Sequence, residues 1–433
     1  MKIGIKKTSC ILGIIMVLFS CFFTSIYNAY CNTIVLSILY WGGAALALLF
    51  SESWKIKKNT KIIKWFFFCV YLFIVIIARN GDIQNYYYIS CIEMFFVLLI
   101  SMIVVSKPIS KTIICGFKIA LILQMVTGFY YYIFPNKLFS LGTSLFKLND
   151  TWFMKFSDYI SAGYFMGLST HYSTSGMYMA MGFISFSAAF LESFEFRKVR
   201  NSKGVVLNGV ISLLFLIALI LTQKRGQLLF AVISFGILYF VGFVRGNISK
   251  RLIRVFIIIF LSILAFIALL RIPLFANAIV RFMIKGSIDD VSSGRISSLW
   301  EPAFNAFLSN PLFGIGWRQF RWIYPMMQYP YGLVNNDCHN IFIQVLCENG
   351  LLLGIPIFVL ILYIYIKTWK ALIYAKKHLT EYIGIWQTLL VSFGYQTFFI
   401  LYGTTGNPLY DIQCYLPYLL CCAISFKIDI FQK

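Results

Sequence analysis

Charge is what this sequence has least of. Only 12% of its 433 residues are charged, roughly half the share found in soluble globular domains. Acidic residues are scarcest, 15 Asp and Glu against 37 Lys and Arg, and there are just three histidines. Neither C-x-x-C nor H-E-x-x-H spacing occurs, so no zinc site is expected. No internal repeat, low-complexity tract or soluble domain interrupts the chain. The eleven cysteines do not read as a disulfide framework, because most (Cys10, Cys21, Cys69, Cys91, Cys115, Cys421, Cys422) lie inside apolar runs. Cys338 and Cys347 would sit about 13 Å apart on a continuous helix, too far to bridge. The net charge of +22 comes from short basic runs between apolar segments, which reads as membrane topology and not as nucleic-acid binding.

What is present is hydrophobicity: 60% of residues, with a mean hydropathy of +0.82. Apolar stretches fall near 8–27, 33–50, 64–79, 88–105, 113–134, 175–191, 205–222, 228–244, 255–272, 349–367, 383–402 and 411–427. Each approaches the roughly 20 residues that a helix needs to cross a bilayer. The expectation is an all-α integral membrane protein of about twelve transmembrane helices, 1–433 forming a single polytopic domain. The first stretch, after Lys2, Lys6 and Lys7, reads as an uncleaved span. Alternate loops 51–63, 106–112, 192–204, 245–254 and 368–382, with both termini, are rich in Lys and Arg and are placed in the cytoplasm. Two outer loops are then long. Residues 135–176 include the amphipathic KLNDTWFMKFSDYI, suited to lying on the membrane surface, and 272–350 form a major extracytoplasmic loop between helices nine and ten.

That second loop carries, in order, Arg295, Trp300, Pro311-Leu-Phe-Gly314-Ile-Gly316, His339-Asn340, Glu348-Asn-Gly350 and Gly354. The series resembles the bacterial O-antigen ligase and Wzy-type polymerase superfamily, whose signature runs Arg, P-x-x-G-x-G, H-N or H-S, then E-x-G. Thr222-Gln-Lys224-Arg225-Gly226 is similar to the S-R-G motif of that family, and Gly163…Gly167-Leu-Ser-Thr-His171 is a looser match. Two departures stand out: Lys224 replaces a small residue, and the Gly163 motif lacks its following Asn. The resemblance implies a membrane glycosyltransferase acting on a polyprenyl-diphosphate-linked glycan, without cofactor, at the outer face of a bacterial inner (plasma) membrane. Its partners would be the lipid-linked donor, a glycan acceptor, the bilayer, a chain-length regulator and a flippase, with no nucleic acid.

Such a transfer needs cations on the leaving diphosphate and a proton acceptor at the acceptor hydroxyl. Arginine's fork stays charged and bonds phosphate oxygens in pairs, so Arg225 and Arg295 are assigned there. His339 is assigned to the hydroxyl. No metal is required. Arg318, Arg321, His171, Trp300, Trp317 and Asn340 are candidate substrate-binding residues. Each has a plainer reading: a snorkelling or solvated arginine, a helix cap at His339, an aromatic belt for the tryptophans and for Trp322, Tyr324, Tyr329 and Tyr331. Gly314 and Gly316 are expected to shape a tight turn. Glu93, within a span, reads as a packed polar partner or part of a lipid path, and Lys118 as a snorkelling cation. Asp289-Asp290 is the only acidic pair placed outside. A polymerase of lipid-linked repeat units is the favoured activity. The alternatives are an O-antigen ligase using lipid A–core as acceptor and, in another class, a lipid-linked glycan flippase.

Overall fold

Two helices form the centre around which the others pack, and their composition explains why. Tyr172–Glu195 is built from Gly, Ala, Ser and Met between aromatic residues, and Trp386–Tyr402 is sealed along nearly its whole length. Without a hydrophobic drive in lipid, helices associate through small residues and hydrogen bonds. A methyl on Gly394 would strike Leu238, so the backbones meet closely there. Polar side chains tie the neighbours: Ser392 to Ser425 at 2.8 Å, and Gln396 to Thr368 at 3.0 Å.

The computed structural model describes residues 2–51, 60–77, 85–106, 110–195, 202–242, 295–328, 332–378 and 385–427. The helices are α1 Lys2–Phe22, α2 Thr24–Tyr30, α3 Ile34–Phe50, α4 Thr60–Ile77, α5 Asn85–Ser106, α6 Ser110–Ile133, α7 Pro135–Ser144, α8 Asp150–Ser161, α9 Tyr172–Glu195, α10 Ser202–Leu221 and α11 Arg225–Gly242. After a π-helical turn at Ile296–Trp300 come α12 Glu301–Ser309, α13 Phe320–Ile323, a hairpin of β1 Met326–Gln328 with β2 Gly332–Val334, α14 Ile341–Lys377, α15 Trp386–Tyr402 and α16 Ile412–Lys427. Eleven of the twelve apolar stretches coincide with helices. The ninth, 255–272, and with it Asp289, Asp290, Tyr329 and Tyr331, lies outside the described residues. By length and composition, six described helices can cross a membrane alone, or seven when α1 and α2 count as one broken span.

That break is a departure from the smooth first span. The chain turns by 100° at Phe23, which leaves helical geometry. Carbonyls freed by such a bend must find donors where there is no water. Here the Gln124 amide bonds Phe22 O, and Tyr178 Oη–H and Thr24 Oγ1–H both reach Cys21 O at 3.0 Å. The amphipathic stretch after Asn149 is α8, capped by the Asn149 side chain accepting from Trp152 N at 3.0 Å. It buries Phe156 and exposes Trp152 and Met154.

Candidate active site

The two glycine motifs between Arg295 and Phe358 form one interlocked unit. Ile315 N donates to Cys347 O (2.9 Å) and Gly316 N to Glu348 O (2.8 Å), while Leu351 N and Leu352 N return bonds to Pro311 O (2.8 Å) and Leu312 O (3.1 Å). Gly314 and Gly350 make this possible, with φ of +68° and +63°. A Cβ on Gly314 would lie 2.5 Å from Asn349 N, and one on Gly350 2.5 Å from Phe313 N, both backbone atoms that cannot step aside. Gly350 also splits α14, so residues 341–349 form a separate turn of helix ahead of the long segment. Gly314 therefore has the turn-forming role expected of it.

Glu348 is the hub of this unit. Its buried carboxylate accepts from Arg318 N (2.9 Å), Phe320 N (3.3 Å), Gln344 Nε2 (3.0 Å) and Tyr410 Oη–H (2.8 Å). Arg318 is not on a solvated face. It is 7% exposed, bonds Tyr410 O, and faces Asp337 at 4.0 Å. Arg321 meets the same Asp337 at 3.8 Å and donates to Asn335 O at 3.1 Å. Trp317 stacks on Tyr410 with centroids 4.8 Å apart and is buried. Trp300 packs against the small cluster of Leu299, Ala303, Phe320, Cys338 and Cys347, and its buried Nε1–H has no partner among the described residues.

His339 sits at φ +57°, left-handed backbone that non-glycine residues seldom adopt and that clusters at functional sites. The helix cap is its neighbour: Asn340 Oδ1 accepts from Phe342 N (3.0 Å) and Ile343 N (3.2 Å). That frees the imidazole, whose Nδ1 lies 3.2 Å from Asn407 Nδ2. Arg295, just before the π-helical turn, donates from its guanidinium to Thr405 O at 3.0 Å. Ile341 N donates to Gly403 O at 2.8 Å. Arg225 opens α11 after a turn in which Gln223 takes φ +59°, and its neighbour Gly226 faces Thr405, 3.1 Å from where a Cβ would stand. Next to it Gln227 donates to Ser173 O (3.0 Å) and Tyr402 Oη (3.2 Å), linking α11, α9 and α15. His171 stacks on Tyr172, and its Nδ1 accepts from Ser173 N at 3.0 Å. Lys224 stands 4.3 Å over the Tyr172 ring.

The electrostatics join these groups. Burial pushes His339 down to about 3, helped by the charges of Arg295 and Lys224 and opposed by Asp337. His171 goes down to about 3 for the same first reason, with Lys224, His339 and Lys155 adding to it. Both rings are neutral near pH 7, in a positive setting that suits an anion. Asp411 moves the other way, up to about 6, through burial and the nearby Asp337, against Arg318 and Arg321.

Arg295, His171 and His339 thus converge, with Lys224 beside them and Arg225 next to the close approach of Gly226 to Thr405, whereas Arg318 and Arg321 belong to the neighbouring Asp337 cluster. The element that joins the two groups is the loop Gly403-Thr-Thr-Gly406-Asn407-Pro408-Leu-Tyr410-Asp411, which holds none of the candidate residues named from the sequence. Its signal was there: turn-forming and polar residues with an acid, between two apolar runs. Elsewhere, Glu93 accepts from Tyr27 Oη–H at 3.3 Å, and Tyr27 in turn accepts from Trp41 Nε1–H at 2.8 Å. Lys118 does not snorkel. It donates to Gln387 Oε1 at 2.7 Å, and Gln387 donates to the buried Glu192 at 2.6 Å. Among the described residues no three His, Cys, Asp or Glu side chains gather as a metal site.

A family model described as O-antigen ligase matches residues 210–359, a span that takes in Arg225, Arg295, His339 and the two interlocked glycine motifs. The resemblance read from the sequence is shown by that match. No curated protein matches the chain.

Proposed function

Proceeding from the O-antigen ligase match over residues 210–359, we propose that this chain is a polymerase joining polyprenyl-diphosphate-linked oligosaccharide units into a bacterial surface polysaccharide. The observation that carries the reading is the meeting of Arg295 and His339 on the loop 403–411, through Thr405 O and Asn407, with the charge of Lys224 near the ring. In the reaction, the acceptor hydroxyl oxygen attacks the anomeric carbon of the donor sugar, and its proton passes to His339. The bond from that carbon to the diphosphate breaks, and the electron pair leaves on phosphate oxygen. Arg295 and Arg225 meet the charge that builds there, the kind of fixed electrostatic stabilisation that dominates many enzymes. A single displacement inverts the anomeric centre and needs no metal. Arg318 and Arg321, already engaged with Asp337, shape the adjoining wall. The positive-inside pattern puts both termini in the cytoplasm and this site on the outer face. A flippase and a chain-length regulator would work beside it.

A ligase acting on lipid A–core is the second reading, favoured by the description of the matching family itself. Purified protein in nanodiscs, given one undecaprenyl-diphosphate oligosaccharide, separates them. A product ladder lost in Arg295→Ala and His339→Ala supports the polymerase. Transfer only after lipid A–core is added makes the protein a ligase. No transfer to either acceptor, with glycan still crossing vesicle membranes, overturns both readings in favour of a transporter.

A further inference from the structure

We infer that Asn407 is a positioning residue for His339: its amide engages Nδ1 so that Nε2 faces the substrate, and the way the amide is turned decides whether Nε2 gives or takes a proton. The inference rests on the reading of His339 as the group at the acceptor hydroxyl, and it concerns a residue outside the matched stretch 210–359.

Asn407 is 4% exposed, in a loop anchored on both sides. Gly403 O is bonded to Ile341 N, and Thr405 O to the Arg295 guanidinium. The amide therefore sits at a fixed place beside the ring, 3.2 Å from Nδ1. With Nδ1 engaged by the protein, Nε2 is the nitrogen left for substrate. An imidazole has one proton to place while neutral. When Asn407 Nδ2–H donates to Nδ1, as in the structure, the proton sits on Nε2 and the ring can only donate outward. Turning the amide over presents Oδ1, a buried acceptor without a partner among the described residues, to an Nδ1–H, and Nε2 then has a lone pair for the hydroxyl proton. Once Nε2 is protonated, Nδ1–H still donates to Oδ1, so the same contact holds the imidazolium. The charged and titratable groups around the ring are Arg295, Lys224 and His171, with Asp337 opposing them. They set how readily the ring charges, but none of them is bonded to Nδ1. Proton choice at Nε2 thus falls to Asn407.

The test uses the full chain, ¹⁵N-labelled at histidine and reconstituted in lipid, read by solid-state NMR. With three histidines in the chain, the His339→Gln spectrum assigns the ring. The native protein is expected to show a neutral Nε2–H tautomer at pH 6. Asn407→Asp, whose carboxylate can only accept, should move the proton to Nδ1 and bring an imidazolium into the neutral range. Asn407→Leu should mix the tautomers. With the undecaprenyl-diphosphate oligosaccharide as probe, Asn407→Leu should cut kcat on the order of 100-fold with little change in KM. Asn407→Asp should keep transfer above pH 7 and acquire an acid limb that the native enzyme lacks. An unchanged tautomer across the variants, or equal loss in Asn407→Leu and Asn407→Asp with no new acid limb, overturns the inference and leaves the residue a structural one. Full transfer by His339→Gln would instead sink the underlying reading of His339.

Discussion

Replacing Gly350 by alanine isolates the interlock between the two glycine motifs. At φ +63° and ψ −166° the residue occupies a region essentially closed to side chains, and forcing one in costs about 1–3 kcal/mol. The added methyl would also press on the backbone of Leu312 and Phe313. Relief means parting the strands that carry four backbone hydrogen bonds between 311–316 and 347–352. Loss of two of those, at about 1 kcal/mol each, brings the expected total to about 4 kcal/mol. Gly236 is the control, a mid-helix glycine with nothing within 4 Å of its missing Cβ, where alanine should be neutral or gain up to about 1 kcal/mol. The assay is thermal unfolding in nanodiscs followed by tryptophan fluorescence, since Trp300, Trp317 and Trp322, three of the nine tryptophans, lie close to the clasped motifs in sequence. Gly350→Ala should melt several degrees below the native protein and lose transfer, with the helical circular dichroism of the bundle retained at room temperature. A Gly350→Ala protein that melts with the native one and remains active would refute the interlock argument.

Glu348→Ala strands four donors in a buried site, and a melting shift equivalent to at least about 3 kcal/mol is expected; Glu348→Gln, which keeps the shape but offers fewer acceptor positions, should fall between. Arg295→Lys retains charge but loses the fork that reaches Thr405 O, so transfer should drop on the order of 100-fold and lysine should rescue little over alanine. Stability should also respond to acid. His171 and His339 take up protons near 3 when folded and near the ordinary 6.5 when unfolded, so the unfolded state binds more protons as pH falls between those values and the fold weakens. Asp411, raised to about 6, works in the opposite sense: its contribution is present in acid and lost as pH rises through 6. Melting temperature against pH, compared with His171→Gln and Asp411→Asn, checks both signs. The first variant should flatten the acid fall and the second should steepen it.

The helices were legible because hydropathy averaged over some twenty residues is a strong signal. The same averaging hides the bend at Phe23. Nothing in an apolar run says where a helix stops unless its freed carbonyls find donors, and here those come from Gln124 and Tyr178, far along the chain. The glycine motifs could be read for turn geometry, since positive φ is a local demand, but their mutual clasp is a contact across more than thirty residues. Arg318 shows the opposite error: a basic residue in a polar loop reads as solvated until Asp337 and the carbonyl of Tyr410 close around it.

The loop from Gly403 to Asp411 shows most clearly where a linear reading stops. Taken alone it is nine residues of turn chemistry between two apolar helices, and its length gives no reason to expect more. Its role comes from what arrives beside it. Arg295 comes from before the π-helical turn and Ile341 from the start of α14, each bonding a carbonyl of the loop, while His339 and Gly226, from the starts of α14 and α11, meet the side chains of Asn407 and Thr405. A loop with one carbonyl held by Arg295, another by Ile341 two residues after His339, and a side chain against the His339 ring cannot shift without moving them. Its side chains, Asn407 first among them, are therefore placed as accurately as the arginines themselves. That makes the loop part of the site's machinery by mechanics alone, and it is why substitutions at Thr405 or Asn407 should alter transfer while leaving the bundle's melting temperature close to native.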